Sequence, residues 1–144
     1  MCALPELTEI LPHRPPMVYL DRVVSFDEGE IVCAATVGAE PCLLPQNADG
    51  SIPTWLGLEY MAQTAAAYAG MCALRDKLPV RRGVLLGTRK LELFVPSLTA
   101  GRKLLVSALP QSEDEDMRIF ECSIKDAASG ELLAEGKINV LLLA

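Results

Sequence analysis

The sequence predicts an α+β fold, in which an antiparallel sheet of about six strands wraps around one long central helix. Two observations predict it. One long apolar segment, residues 54–74, lies between strand-like patterns, and four such patterns follow it with only short turns between them. Short connections make neighbouring strands antiparallel. We expect residues 1–144 to form a single domain with a sizeable core.

The chain before the long helix predicts a short helix and a hairpin. Residues 4–11 suit a helix that starts near Pro5 and ends at Pro12. Residues 17–26 alternate and are rich in valine and aromatic residues, so they predict a strand, and residues 30–37 predict its partner after a turn. Residues 39–53 contain three prolines and an Asp-Gly turn, which predicts a loop.

The long helix is predicted to begin at Pro53, which fits a first helical position, and to run to about Arg75, before Pro79. Between Trp55 and Leu74 it carries one charge, that of Glu59. The polar side chains within it and its many alanines argue against a membrane span. We expect a buried core helix instead.

Strand patterns then occupy residues 83–95, 102–111, 117–126 and 131–143. A helix that is apolar on nearly every face is best buried by a sheet that curls around it, and alanine and glycine along the helix allow close approach. This is the hot-dog architecture. The edge strand that it leaves would be covered by pairing into a dimer with one continuous sheet. The hydrophobic content of 51% also predicts an oligomer.

Composition excludes several classes of function. A net charge of −6 argues against a nucleic-acid binder. The five cysteines are odd in number and form no CxxC pair, so we expect small buried residues in a reducing cytosol rather than a zinc site or disulfides. With one histidine, histidine-rich metal sites are excluded. We expect a cytoplasmic protein without a signal peptide.

Glu59 lies in the second turn of the predicted helix, and Gln63 shares its face. One interpretation is structural: Glu59 is solvated, or it complements the helix dipole. The other is functional: an apolar environment raises the pKa of the carboxyl group, which then acts as a general acid or base. Unpaired N–H groups at the start of the helix could polarise a carbonyl group beside it.

Three motifs resemble the β-hydroxyacyl-acyl carrier protein dehydratases. "LPHRPPMVYLDRVVSFDEGE" (11–30) is similar to their opening motif, "LEYMAQTAAAYAG" (58–70) to their helix motif, and "LELFVPSLTAGRKLLVSA" (91–108) to their strand-turn-strand. The resemblance spans nearly the whole chain. It implies a homodimer or larger assembly without a cofactor, acting on acyl thioesters of a carrier protein or coenzyme A in fatty-acid- or polyketide-type biosynthesis.

The resemblance also implies site residues. Glu59 matches the catalytic acid of the family, and Pro53 matches the proline six residues before it. Thr54 replaces a glycine whose N–H faces the thioester carbonyl, so Pro53, Thr54 and Gln63 are candidates for substrate binding. The catalytic histidine of the family sits fourteen residues before the acid, where this chain has Pro45.

Several groups could compensate for the missing histidine. Asp49 could act as a base, although its Asp-Gly turn has a conformational explanation. Gln46 and Asn47 can orient a group but cannot take a proton, and Cys42 has no visible activating partner. His13 is the only imidazole and remains a catalytic candidate, against a hydrogen-bonded structural role.

A further possibility lies in assembly, because the family site lies at a dimer interface. A related subunit could supply the histidine in a heterodimer. We also expect the basic residues after the helix to offer a docking surface for an acidic carrier protein, against a scattered solvated face. The candidates for docking are Arg81, Arg82, Arg89 and Lys90.

The sequence therefore favours a 3-hydroxyacyl-carrier dehydratase, a carbon–oxygen lyase, either active by itself or as one subunit of a hetero-oligomer. A hot-dog thioesterase is the first alternative, because such enzymes need a carboxylate and a positioned water rather than a histidine. A non-catalytic acyl-binding subunit is the second.

Overall fold

The computed structural model describes residues 4–14, 17–38, 44–114 and 116–143, and for residues 112–114 it describes the backbone alone. Two helices are α1 (Leu7–Ile10) and α2 (Gly57–Arg75), and a 3-10 turn (Thr54–Leu56) leads into α2. The strands are β1 (Leu20–Asp27), β2 (Glu30–Thr36), β3 (Ile52–Pro53), β4 (Gly83–Leu93), β5 (Ser97–Leu98), β6 (Lys103–Asp114), β7 (Met117–Asp126) and β8 (Leu132–Leu142).

Six strands form one antiparallel sheet in the order β1-β2-β6-β7-β8-β4, as predicted. One transverse row shows its register, because Ile31, Ala108, Cys122, Gly136 and Leu91 pair in turn across five strands. The first four of these residues are buried, and alternate positions along β2, β6, β7 and β8 are buried in the same way. The predicted hot-dog fold is confirmed.

The start of the helix differs from the sequence prediction. Ile52 and Pro53 form β3, which pairs with β5, so Pro53 does not open the helix and α2 begins at Gly57. The sequence pattern missed both short strands, because two-residue pairings leave no periodicity. The predicted end is confirmed: α2 stops at Arg75, and Lys77 adopts a left-handed φ of 58° before Pro79.

The sheet does not enclose α2 completely. Tyr60, Met61 and Tyr68 are buried against the sheet, whereas Glu59 on another face is exposed. The small side chains of Ala62, Ala66 and Ala69 continue that face and are half-buried. A stripe of α2 therefore remains accessible in the single chain.

β4 forms one edge of the sheet and presents apolar side chains to solvent. Val84 is 42% exposed and Leu86 is 49% exposed, and Leu93 and Phe94 at its end are 43% and 50% exposed. Such an edge offers unpaired backbone groups to another strand. No helix within the described residues is both long enough and apolar enough to cross a membrane.

The cysteines that the structure describes agree in part with the prediction. Cys33 and Cys122 are buried, and burial raises the pKa of each thiol to about 12. Cys72 is half-buried. Cys2 and Cys42 lie outside the described residues.

Candidate active site

Glu59 and His13 line the same small cavity, of about 60 Å³. Glu59 comes from the first turn of α2, and His13 from the segment that follows α1. The remaining wall consists of Ala62, Gln63, Ala66, Gly83, Leu85 and Val140. The structure thus brings together two of the three residues that the sequence offered as catalytic candidates, although 46 positions separate them along the chain.

Close packing of the two helices positions His13. α1 lies directly over Gly70 of α2, where a Cβ atom would meet the carbonyl oxygen of Ile10 at only 1.8 Å. The guanidinium of Arg14 then donates to the carbonyl oxygens of Leu11 and His13, both at 2.8 Å. Glycine at position 70 is therefore required for α1 to hold the His13 segment beside α2.

Gln63 holds the other end of the same segment. Its Nε2 donates to the carbonyl oxygen of Met17 at 2.6 Å, and its Oε1 accepts from the N–H of Tyr19 at 2.8 Å. The side chain is only 3% exposed. The predicted role of Gln63 in contacting substrate stays untested, but both ends of its amide already bind backbone groups, which makes it a clamp between α2 and the chain entering β1.

The surroundings of the His13 imidazole lower its pKa. Burial lowers its pKa below the ordinary histidine value; the Glu59 carboxylate opposes this shift, and the Arg82 guanidinium adds to it. Its Nδ1 is buried and has no hydrogen-bond partner among the described residues. A pKa below 6.5 favours the neutral imidazole at neutral pH, and Nδ1 has no partner among the described residues.

Glu59 itself does not have the apolar surroundings that the sequence argument expected. It is exposed in the single chain, because it stands on the stripe of α2 that the sheet leaves open. Whatever excludes water from this carboxyl group must come from outside the described residues of this chain.

Thr54 is buried, at 1% exposure. Its N–H, which the family resemblance assigned to the thioester carbonyl, donates instead to the carbonyl oxygen of Pro96 at 3.3 Å. Its Oγ1 is buried without a partner among the described residues. The preceding residue, Pro53, pairs with Ser97 in the β3–β5 ladder, so both residues anchor the start of α2 to the segment after β4.

Asp49, in the loop before α2, is not among the residues that line the cavity. Asp49 is exposed, and its Oδ1 accepts from the N–H of Ser51 at 3.0 Å and from its hydroxyl at 2.6 Å. These hydrogen bonds lower the pKa of the Asp49 carboxyl group. Asn47 donates to the Ser51 hydroxyl at 3.0 Å, and Pro45 is exposed. These bonds are turn interactions, which favours the conformational explanation for Asp49.

The four basic candidates for carrier docking divide into two pairs. Arg81 bonds Asp116 at 2.8 Å and the carbonyl oxygen of Leu143 at 2.9 Å, and Lys90 bonds Glu92 at 2.9 Å. Arg82 and Arg89 are exposed and form no ion pair with a described residue. Only the second pair has its charge available to an acidic partner.

A larger cavity, of about 460 Å³, lies near the C-terminal end of α2. Arg75 in its wall forms ion pairs with Glu28 at 3.1 Å and with Asp76 at 3.0 Å, so the charge of Arg75 is balanced within the chain. We place the site at the smaller cavity, because that cavity holds the acid and the only imidazole. Within the described part of the chain, no three metal-binding side chains come together.

A family model and two related proteins match the chain. The sequence matches the family described as ApeP-like, ApeP dehydratase, over residues 5–143. The 3-hydroxyacyl-acyl-carrier-protein dehydratase FabZ of Desulforamulus reducens is 35% identical over 114 residues, covering 68% of this chain and 80% of the relative. The protein of the same name from Latilactobacillus sakei is 41% identical over 64 residues, covering 42% and 46%.

Solved structures also resemble the chain in their fold. A chain of the dehydratase heterocomplex ApeI:P from Xenorhabdus doucetiae has a TM-score of 0.90 at 30% identity, covering 99% of this chain and 93% of that one. AziG from S. sahachiroi has a TM-score of 0.60 at 21% identity, covering 85% and 90%. The second likeness shows a shared fold alone.

Proposed function

Because this chain belongs to the ApeP-like dehydratase family, we propose that it is the acid-bearing subunit of a hetero-oligomeric 3-hydroxyacyl-acyl carrier protein dehydratase. One observation carries the proposal. Glu59 occupies the position of the family's acid, while the position of the family's histidine is Pro45, and Asp49 of the same loop is not among the residues that line the cavity. The chain has one half of a two-residue site, and a solved structure that it matches with a TM-score of 0.90 is described as a dehydratase heterocomplex.

The reaction divides naturally between two subunits. A histidine of the partner removes the proton at C2 of the 3-hydroxyacyl thioester, and the thioester carbonyl stabilises the developing negative charge. Glu59 donates a proton to the 3-hydroxyl group, the C3–O bond breaks, and water leaves as the C2=C3 double bond forms. A positioned acid of this kind typically contributes a factor of about 10²–10⁴ in rate.

The exposed edge β4 and the adjoining alanine stripe of α2 are the surface on which we place the partner. Gly83 and Leu85 of β4 already line the Glu59 cavity, so a strand added to this edge would bring the second subunit next to the carboxyl group. It would also cover Val84 and Leu86 and complete the sheet. The same contact would exclude water from Glu59.

Charge on this edge favours a different subunit over a second copy. Arg89 lies near the middle of β4 and has no ion pair with a described residue. Antiparallel pairing of two identical strands about their middle would bring Arg89 close to its own copy, and like charges facing each other across strands are destabilising. A partner with an acidic residue at that point would remove the repulsion.

Arg82 is our candidate for docking the acidic carrier. It is exposed, and it directly precedes Gly83, which lines the cavity, so we place it at the entrance. Arg89 could serve the carrier only where the partner leaves it accessible, and Arg81 and Lys90 are engaged within this chain. Attraction at the entrance would speed encounter with the carrier more than it would strengthen binding.

The test is reconstitution. The purified chain, a related dehydratase subunit that keeps the family's histidine, and the mixture of both are each incubated with a 3-hydroxyacyl carrier thioester and with the saturated thioester of equal length. Mass spectrometry follows each acyl chain. We expect loss of water only in reactions that contain the heterocomplex, and Glu59→Gln in this chain should lower kcat by about 10²–10⁴.

Each other outcome contradicts the proposal in a distinct way. Dehydration by this chain alone would show that it needs no histidine-bearing partner. Release of free acid would indicate a thioesterase, the alternative that needs no histidine. An active heterocomplex that tolerates Glu59→Gln would leave this chain as a non-catalytic acyl-binding or stabilising subunit.

A further inference from the structure

We propose that Arg14 and Arg82 bind the phosphate group at the end of the pantetheine arm, on which a carrier protein or coenzyme A holds an acyl thioester. The inference rests on the proposed function, since it names the anionic part of that substrate. Three observations carry it: the place of the two arginines beside the Glu59 cavity, the donors that Arg14 leaves unused, and the charge balance of the described residues.

Both arginines adjoin residues that line the cavity. Arg14 directly follows His13, and Arg82 directly precedes Gly83. His13 and Gly83 both belong to the cavity wall. The Nη1 atom of Arg14 donates to the carbonyl oxygen of His13 at 2.8 Å, which fixes the guanidinium beside the backbone of that residue. Two exposed arginines that are 68 positions apart in the chain are thus both placed at the rim of one cavity.

Arg14 is held in one conformation with several donors left over. Its Nη1 donates to the carbonyl oxygens of Leu11 and His13, both at 2.8 Å. The N–H groups on Nε and Nη2 have no acceptor among the described residues, and this edge of a guanidinium matches two oxygen atoms of a phosphate group. Because the side chain is already ordered, binding costs less conformational entropy than a mobile arginine would lose.

Neither positive charge is balanced by a carboxylate within the described part of the chain. Every ion pair between described residues uses another cation, and neither Arg14 nor Arg82 takes part. The one carboxyl group in the cavity wall is that of Glu59, and it forms no ion pair with either guanidinium. The rim therefore attracts an anion.

The chemistry of the substrate selects phosphate as this anion. Between the thioester and the phosphate, the pantetheine arm carries amide and hydroxyl groups but no charge. When the acyl group lies at Glu59, the phosphate is therefore the first negative group that the ligand presents outward from the cavity. The same phosphate ester occurs in carrier-bound thioesters and in coenzyme A thioesters, so the two arginines fit both sources.

The test compares two ligands that differ only in the phosphate group. Calorimetry measures binding of a saturated acyl pantetheine thioester and of the corresponding phosphopantetheine thioester to the heterocomplex, and neither ligand can be dehydrated. We expect the wild-type complex to prefer the phosphorylated ligand about tenfold. Arg14→Ala and Arg82→Ala should each lower this ratio about threefold, and the double variant should bring it close to one. A merely structural disturbance would weaken both ligands alike and leave the ratio unchanged.

Arg22→Ala is the matched control. Arg22 is also exposed and forms no ion pair with a described residue, but it lies in β1, at the opposite edge of the sheet from β4. The ratio should stay at the wild-type value in this variant. Arg14→Lys keeps the charge without the planar fork, so it should retain only part of the preference. A wild-type ratio near one, or an equal fall of the ratio in Arg22→Ala, would overturn the proposal.

Salt provides a measurement without mutation. Electrostatic screening shortens from about 10 Å at 0.1 M to about 3 Å at 1 M ionic strength, so the wild-type ratio should fall over this range. A ratio that is independent of salt would contradict a phosphate contact at an exposed rim.

Two larger ligands identify the source of the phosphate. An acyl carrier thioester and the acyl-CoA of equal chain length should both bind more weakly to the double variant, and the one that the wild-type complex binds more tightly is the source. An effect confined to the carrier and absent from the two small ligands would assign the arginines to the carrier's protein surface and overturn the proposal. Failure of the proposed function would appear separately, as a complex that prefers the phosphorylated ligand but dehydrates nothing.

Discussion

At the scale of single residues, Glu59 depends on what covers it. In the single chain this carboxyl group lies on an accessible stripe of α2, beside a neutral imidazole. Electrostatic interactions with a substrate are stronger where water is excluded. Under the proposed function, the carboxyl group would therefore become effective only when a second subunit closes the site.

The neutrality of His13 should be visible in the pH dependence of stability. Its pKa in the folded chain lies below the ordinary value of 6.5, so the unfolded chain binds the proton more readily. Stability should therefore fall as the pH decreases through about 6.5, and this part of the loss should be absent in His13→Asn. Thermal unfolding of both proteins at about pH 8 and about pH 5.5, on either side of the ordinary histidine pKa, measures the difference. Identical losses in the two proteins would argue against a neutral, buried His13.

Gln63 should matter for stability before it matters for chemistry. Gln63→Met leaves the carbonyl oxygen of Met17 and the N–H of Tyr19 without their side-chain partners, at a cost of about 1–3 kcal/mol for each that stays buried. Denaturant unfolding should show this loss, while Gln111→Met, at an exposed glutamine, should change little. A stable Gln63→Met protein would mean that the clamp is dispensable.

At the scale of elements, the contact of α1 with α2 determines where His13 lies. α1 has only four residues, so its own hydrogen bonds do not stabilise it, and its position comes from burying Leu7 and Ile10 against the long helix. The approach is close enough for backbone to meet backbone at Gly70. α1 therefore fixes the position of the segment that follows it, which contains His13.

Gly70→Ala should displace α1 from α2. The new Cβ would lie 1.8 Å from the carbonyl oxygen of Ile10, and a backbone neighbour cannot rotate away. Overpacking of this kind costs about 1–3 kcal/mol, so the free energy of unfolding should fall by at least this amount. Gly87→Ala is the control, since no atom lies within 4 Å of its added Cβ; equal stability of the two variants would contradict this packing.

At the scale of the whole molecule, the open edge of the sheet and the open stripe of α2 lie side by side. They meet at the Glu59 cavity, whose wall contains residues of both. A single partner can therefore complete the sheet and close the site in one contact. Under the proposed function, assembly and activity would then be parts of the same event.

A charge placed on the edge should separate assembly from folding. Leu86→Lys puts a cation in the middle of the apolar part of β4, where Leu86 is 49% exposed. We expect the dissociation constant of the heterocomplex to rise at least about tenfold, with no change in the melting temperature of the isolated chain. Leu78→Lys is the control, because Leu78 is 62% exposed but lies outside the edge. Equal effects of both substitutions on the complex would remove β4 from the interface.

Much of the fold was predictable from local pattern. Alternation at period two marked the six long strands, and one apolar segment marked α2, because burial on one face repeats with the geometry of each element. The short β3–β5 pairing was not predictable, since two residues carry no periodicity. Because of this pairing, α2 begins at Gly57 and not at the predicted Pro53. The N–H of the next residue, Thr54, donates to the carbonyl oxygen of Pro96.

The sequence by itself determined the order of elements, the hot-dog fold, the acid Glu59 and the absence of a histidine at position 45. Each of these follows from residue identity or from spacing within one segment. Only the tertiary structure decided that His13 shares a cavity with Glu59, that Gln63 binds the backbone of Met17 46 residues away, and that Glu59 stays exposed. These features depend on which distant segments meet, and local periodicity records how deeply a residue is buried without recording what it is buried against.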